Sequence, residues 1–483
     1  MLLNQLFDDA PRIEIQQLMM DSRQKCKDAI FFCLKGLEND GHHYVDMAIQ
    51  NGAKVIVYSD DIAKKEDVIY IKVNDVTKAL NIICNKFYQY PSQKLKMYGV
   101  TGTNGKSSVT TLIRNILNPY QKCGYIGTIS IEYGDVKLPP LLTTPNVVDL
   151  QYYLDAMVKD DVKACALEVS SIGIEQKRVD GIHFDVCVYT NLTHDHLDYH
   201  GTIEDYFHAK KKLFDMMHPN SYAIINIDDP YALKMVEDCH ANIVTYGIDH
   251  VADYQACNIQ LMADKTVLTL KVNQQEYRIE TNLVALFNVY NLLAAISALH
   301  KTGLSMDLII QQLTQLKQIE GRMEKVVLGQ PFNVIVDFAH TPDGIEKVMK
   351  YAQEITPKER RIIAVFGSAG KRDFKKRIMF GQLADKYCDM IILTEDDPRD
   401  ENVFQIAQEI AEGIKKKNHI IIEDRSNAIR QAIEMATAND TILILGKGDE
   451  AFIYREFGRE VYRGDQNVAK DMIKRYYFKE EIN

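Results

Sequence analysis

Among its nine cysteines the chain has no CxxC pair, and it has no apolar run near 18 residues, no internal repeat, no low-complexity tract and no positive excess. Each absence closes off a class. The scattered cysteines, several inside apolar runs such as CALEV and VCVYT, argue against a disulfide framework. They read as buried reduced thiols of a cytoplasmic protein. Without a long apolar run, no membrane span or insertion is expected. The opening MLLNQLFDDAPRIEIQQ has no basic n-region, so no secretory leader is expected. A formal net charge of −10 argues against nucleic acid as a nonspecific partner and leaves room for local basic pockets.

What is present is a 483-residue chain with 46% apolar and 26% charged residues, a soluble composition too long for one core. Buried strand-like runs recur, among them AIFFCL, AKVIVYS, MYGVTG, ACALEVS, VCVYTNL, SYAIINI, FNVIVDF, RIIAVFG, MIILTE and TILILGKG. Helical patterns alternate with them at 40–51, 76–89, 146–159, 202–217, 288–302, 343–354 and 403–416. The alternation predicts α/β domains with largely parallel sheets. Polar, turn-rich breaks near Tyr90-Pro91-Ser92 and Gly321-Arg322 divide the chain at 1–92, 93–323 and 324–483.

The most informative stretch is MYGVTGTNGKSSVTTLIRNI. A strand leads into Gly102-Thr103-Asn104-Gly105-Lys106, and a helix opens at Ser107-Ser108. Glycines let main-chain N–H groups approach an anion, and the helix N-terminus adds positive potential. Lys106 would reach the β- and γ-phosphates of a nucleotide, and the Ser107 hydroxyl would meet magnesium. Five residues separate Gly99 from Gly105, one more than strict Walker spacing, so an ordinary strand–turn–helix corner is the competing reading.

Other segments look chemical. The strand ALEVSS ends in Glu168 and Ser170, where an acid can hold magnesium beside a phosphate loop. A solvated strand-end acid is the alternative. TNLTHDHLDYHGTIEDYFHAKKKLF is rich in histidine and acid but lacks the companions of a zinc site. Asn288 and Asn291 share a helix face, and Arg322 and Asp337 flank the second break, either as nucleotide contacts or as a cap and an ion pair. In the last third, GSAGKRD, EDDPRDE and GKGDE each follow a strand. They carry Arg372, Asp396, Asp397, Arg399, Gly446 and Glu450, a mix of signs suited to a zwitterion with more than one carboxylate, unless the three are mere surface loops.

In order along the chain, DSR, GTNGKSS, TTPN, LEVSSIGIEQKRV, TNLTHDHLDYHG, HAKKKLF, FNVYN, GRME, DFAHTPDG, KRD, DDPR and GKGDE resemble the Mur ligase family. These ATP-dependent enzymes build the peptidoglycan stem peptide, and the likeness is greatest to those that add its third residue. The resemblance implies a UDP-binding N-terminal α/β domain, a central P-loop ATPase-like domain with a parallel sheet, and a Rossmann-like C-terminal domain. It implies that Ser22 holds the uridine end, and that Thr143, Thr144, Ser170, Gln176 and Arg178 contact the muramoyl-dipeptide. ATP would meet Gly102 to Ser108, Asn288, Asn291, Arg322 and Asp337. Magnesium would be held by Ser107, Glu168, His196 and Lys210, the last as a carbamate, and Lys106 would join them in catalysis. The implied partners are small molecules: UDP-MurNAc-L-Ala-D-Glu, ATP and a diamino acid. A monomer is expected.

The resemblance also frames the choice of acceptor. Arg372 and Arg399 suit two carboxylates and so meso-diaminopimelate. Asp397 replaces the family's usual asparagine, adding a negative charge that would favour the ammonium of L-lysine instead. Ile172 replaces a usual histidine. A folylpolyglutamate synthase-like ligase and a noncatalytic binder are the remaining alternatives.

Overall fold

The computed structural model describes residues 1–36, 39–262, 264–316 and 318–478. Three large sheets follow one another along the chain. The first has four parallel strands, in the order Gln17–Met19, Ala29–Phe32, Ala53–Tyr58 and Ile69–Lys72. Helix Val76–Phe87 covers one face, burying Leu80, Ile83 and Cys84 against Ile30, Phe32 and Val55.

The second sheet has eleven strands. Six parallel strands form its middle: Asn242–Gly247, Tyr222–Asn226, Val186–Tyr189, Lys96–Thr101, Ala164–Glu168 and Cys123–Ile126. Ala164–Glu168 and Val186–Tyr189 are buried along their whole length, as strands covered on both faces must be. The first strand in sequence, Lys96–Thr101, lies between the third and fourth, so the winding direction reverses at its carboxyl end. Crevices for ligands form at such reversals.

The sheet is largely parallel, as expected, and antiparallel strands are added at both flanks. Tyr254–Leu261 runs parallel to Asn242–Gly247 but antiparallel to Thr266–Val272, which in turn pairs antiparallel with Gln275–Thr281, and the short strands Ile131–Tyr133 and Val136–Leu138 are antiparallel as well. Thr266–Val272 alternates between buried and less buried residues, because only one face of this flank meets the core. Helix Leu286–Lys301 lies beneath it and packs with helix Lys106–Leu117.

The third sheet places Glu324–Lys325 antiparallel to Asn333–Asp337, followed by Thr441–Leu445, Ile362–Phe366, Met390–Leu393 and Asn418–Ile421, all parallel. The helix expected over 403–416 ends at Ala411. Gly381 and Gly413 bring helix Lys375–Tyr387 against the backbone at Ile410 and beyond, leaving no room for a further straight turn.

Candidate active site

The loop after Lys96–Thr101 is held by its own glycines, by Asn191 and by Lys106. Gly102 and Gly105 have φ of +147° and +88°, a region open to glycine. A Cβ on Gly105 would come within 2.5 Å of Asn291 Oδ1. Thr103 N–H donates to Asn191 O at 2.8 Å, and Asn104 N–H to Asn191 Oδ1 at 3.0 Å. Lys106 Nζ donates back to Gly102 O and Thr103 O, both at 2.9 Å. Burial lowers the Lys106 pKa, with Glu168 and Asp195 opposing.

Glu168 is fully buried at the end of its strand. Tyr125 Oη (2.6 Å) and Thr128 N–H (2.9 Å) donate to Oε1, while Ser107 Oγ (3.0 Å) and Thr128 Oγ1 (3.2 Å) donate to Oε2. Four donors stabilise a charge that burial alone would make costly. Lys210, 1% exposed, donates to Gly102 O at 3.0 Å, and its ammonium lies 4.4 Å from the Tyr206 ring centre. Burial, with the Lys106 charge nearby, pulls its pKa well below the ordinary lysine value. A neutral amine there is a nucleophile. Burial pushes the Asp195 carboxyl up, but His196, His340, Lys376 and Lys106 outweigh it and bring the group down to about 2. His196 Nε2 lies 3.4 Å from Asp195 Oδ2.

Ser107 and Glu168 place a hydroxyl and a carboxylate side by side at the phosphate loop, an oxygen pair that fits magnesium. Lys210 as an ammonium is a donor and no ligand; as a carbamate it would present oxygens, which magnesium prefers to an amine nitrogen. No group of three His, Cys, Asp or Glu side chains suited to a metal occurs among the described residues.

The third sheet's loops reach this place. Arg322 donates to Ser107 Oγ at 3.1 Å, with its guanidinium 4.2 Å from the Phe338 ring centre. Asp337 accepts from Met323 N–H (2.7 Å) and Ala339 N–H (2.8 Å), so it pins the backbone of the seam. Asn104 Nδ2 donates to Asp343 Oδ2 at 2.8 Å, and His194 Nε2 lies 2.8 Å from Asp373 Oδ2. Asn288 donates to Val284 O at 2.8 Å and Asn291 donates to Asn288 Oδ1 at 3.0 Å.

One cavity of about 1040 Å³ takes in Gly105, Lys106, Glu168, His196, Lys210 and Arg322, and equally Arg372, Asp396, Arg399 and Glu450. The other expected residues on its wall are Thr103, Asn104, Ser107, Ser108, Thr143, Ser170, Asn291, Asp337, Asp397 and Gly446. Gly102, Thr144, Asn288, Gln176 and Arg178 do not line it, and Gln176 is exposed. Thr144 Oγ1 donates to Glu168 O at 2.9 Å, and Arg178 donates to Thr144 O at 2.7 Å. Ser22 lies in the first sheet's region, its hydroxyl 3.4 Å from Met47 Sδ. Asp195, His340, Lys376 and Asn191 went unassigned in the sequence, although Asp195 sits between two conspicuous histidines and His340 within DFAHTPDG.

Comparison with known proteins fits this geometry. The model of the Mur ligase middle domain matches residues 100–299, that of the Mur ligase glutamate ligase domain 321–448, and that of the Mur ligase family catalytic domain 14–88. A relative in Clostridium acetobutylicum, UDP-N-acetylmuramoyl-L-alanyl-D-glutamate--2,6-diaminopimelate ligase 1, is 37% identical over 469 residues, covering 96% of each chain. The chain belongs to the Mur ligase family. Another Mur ligase relative, the 2,6-diaminopimelate ligase of Geobacillus kaustophilus, is 39% identical and covers 95% of each chain. A solved 2,6-diaminopimelate ligase superposes with a TM-score of 0.70 at 28% identity, covering 99% of both chains. MurF of Thermotoga maritima, solved with ADP, shares the fold at a TM-score of 0.66 and 17% identity, covering 96% and 98%. No helix among the described residues is long and apolar enough to cross a membrane.

Proposed function

We propose that this Mur ligase joins meso-diaminopimelate to UDP-MurNAc-L-Ala-D-Glu at the expense of ATP, in cytoplasmic peptidoglycan precursor synthesis, acting as a monomer divided at 92/93 and 323/324. One observation carries the reading: the phosphate loop, the buried Glu168 and Lys210, and the arginines of the last sheet line the same cavity. The names of relatives at 37–39% identity supply the substrates.

The chemistry is that which the family resemblance implies. The free carboxylate of D-Glu attacks the γ-phosphorus of ATP, the bond to the β-phosphate oxygen breaks, and ADP leaves. The acyl phosphate so formed is attacked at carbon by the neutral amine of the acceptor; the C–O bond to phosphate breaks, and the nitrogen passes its extra proton to the departing phosphate or to water. Lys106 sits at the phosphate loop to meet charge developing on the transferred group. Magnesium, held by Ser107, Glu168, His196 and Lys210 as its carbamate, would neutralise polyphosphate charge. Asn104, His194 and Ser107 bind residues of the third sheet's loops, and closure of those loops over the cavity would keep water from the acyl phosphate. Arg372, which also lies 3.7 Å from Asp198, and Arg399 line the cavity and would pair with acceptor carboxylates. L-Lysine loses its main argument, because Asp397, on which it rested, is ion-paired with Lys447 at 2.7 Å.

The test is product mass. Incubation with UDP-MurNAc-L-Ala-D-Glu, ATP and each acceptor separately is expected to add one diaminopimelate residue far faster than one lysine residue. Preferential addition of lysine would overturn the choice of acceptor.

A further inference from the structure

Asp397 is the departure that most changes the charge of the acceptor loops, and its carboxylate is already engaged. Oδ1 accepts from Lys447 Nζ at 2.7 Å and from Tyr454 N–H at 3.0 Å. The Lys447 side chain is wholly buried and does not line the cavity, whereas Asp397 does. Lys447 also pairs with Glu450. Lys447 is thus the cation in contact with Asp397 and Glu450, with Asp396 close by, whereas Asp396 also feels Arg425 and Lys376. Burial opposes the charged amine, but these carboxylates more than compensate and raise its pKa. A lysine so placed stays protonated across the working pH range.

Without that cation, Asp397 would present an uncompensated negative charge to the far end of an acceptor. That charge would draw an ammonium and repel a carboxylate. We propose that Lys447 sets acceptor specificity by cancelling Asp397, so that Arg372 and Arg399 remain the charges that read the acceptor's far end. Lys447 is then a positioning residue: it acts through Asp397, outside the cavity wall. The Asp397–Lys447 couple does the work of a neutral side chain, which is how an aspartate is compatible with a dicarboxylate acceptor. This inference rests on the acceptor-site reading given above.

The experiment compares kcat/KM for meso-diaminopimelate with that for L-lysine in the wild type, Asp397→Asn, Lys447→Met and the double variant, with KM for ATP as control. Asp397→Asn is expected to shift the ratio by less than about threefold, because the charge it removes is already neutralised. Lys447→Met is expected to lower the ratio by about tenfold or more, with KM for ATP little changed. The double variant is expected to recover to near the Asp397→Asn value. A rise of tenfold or more in Asp397→Asn would overturn the proposal, because the aspartate would then be facing the acceptor directly. A double variant as impaired as Lys447→Met would overturn it too. If Lys447→Met fails to fold, the other two variants decide. A wild type that turns over neither acceptor defeats the reading of function before the variants are compared.

Discussion

The phosphate loop and the acceptor loops line the same cavity but are held in different ways. Residues 102–105 are fixed by backbone: glycines at positive φ, N–H groups on Asn191, and a lysine curled onto its own carbonyls. The acceptor loops are fixed by buried charge. Arg425, with no exposure, donates to Glu395 O (3.0 Å) and Leu445 O (2.9 Å), the carbonyls just before Asp396 and Gly446, while pairing with Asp465 at 2.6 Å. Lys447 then holds Asp397 and Glu450. The difference teaches where variation is tolerated. A backbone cradle fits any polyphosphate and is compatible with few changes. A charge network can be rebalanced by one compensating partner, and so suits the wall that must distinguish acceptors.

Breaking the backbone side should cost most. Lys106→Ala is expected to lower turnover about a thousandfold, measured as ADP release, while melting changes little. Next comes Lys210. Lys210→Ala should lose about a hundredfold in ligation and recover part of it with formate, a small carboxylate that can occupy the place of a carbamate. Recovery that never appears would remove the carbamate from the account. Lys210→Met should melt at a higher temperature than the ligand-free wild type, because it replaces an amine whose protonation burial opposes.

On the charged side the effects should be smaller and confined to one substrate. Arg399→Ala is expected to raise KM for diaminopimelate by roughly 10- to 30-fold and KM for ATP by less than about threefold. Equal changes in both would mean that the two walls are not separable. The smallest effect concerns pH. Burial raises the Glu450 carboxyl to about 7, against the pull of Lys447. A raised acid is protonated and neutral below that value and anionic above it. If Glu450 meets the acceptor's ammonium, KM for the acceptor should fall a few-fold between about pH 6 and 8. Glu450→Gln should flatten that profile.

The same contrast explains how much could be read from the sequence. The phosphate loop was legible because its chemistry lies within one contiguous run, Gly102 to Ser108, after an apolar strand. The three loops of the last sheet were legible because each follows a buried strand. What they pair with was not. Asp397 and Lys447 lie 50 residues apart, and Arg425 and Asp465 lie 40 apart. Neither local pattern nor spacing announces such partners. Asn288 and Asp337 stand out in the sequence as nucleotide contacts or as a cap and an ion pair, yet in the fold they spend hydrogen bonds on Val284 O and on the Met323 and Ala339 amides, a use visible only once the seam is folded. The antiparallel strands from Tyr254 to Thr281 were missed because half-exposed alternation is a weaker signal than the continuous apolar runs beside it.

The central claim is that one cavity joins phosphoryl transfer to amine capture. Phosphate release, measured with each substrate omitted in turn, tests it most directly. The account predicts fast release only when ATP, UDP-MurNAc-L-Ala-D-Glu and diaminopimelate are all present. Release at the full rate without the acceptor, or without the dipeptide substrate, would contradict it.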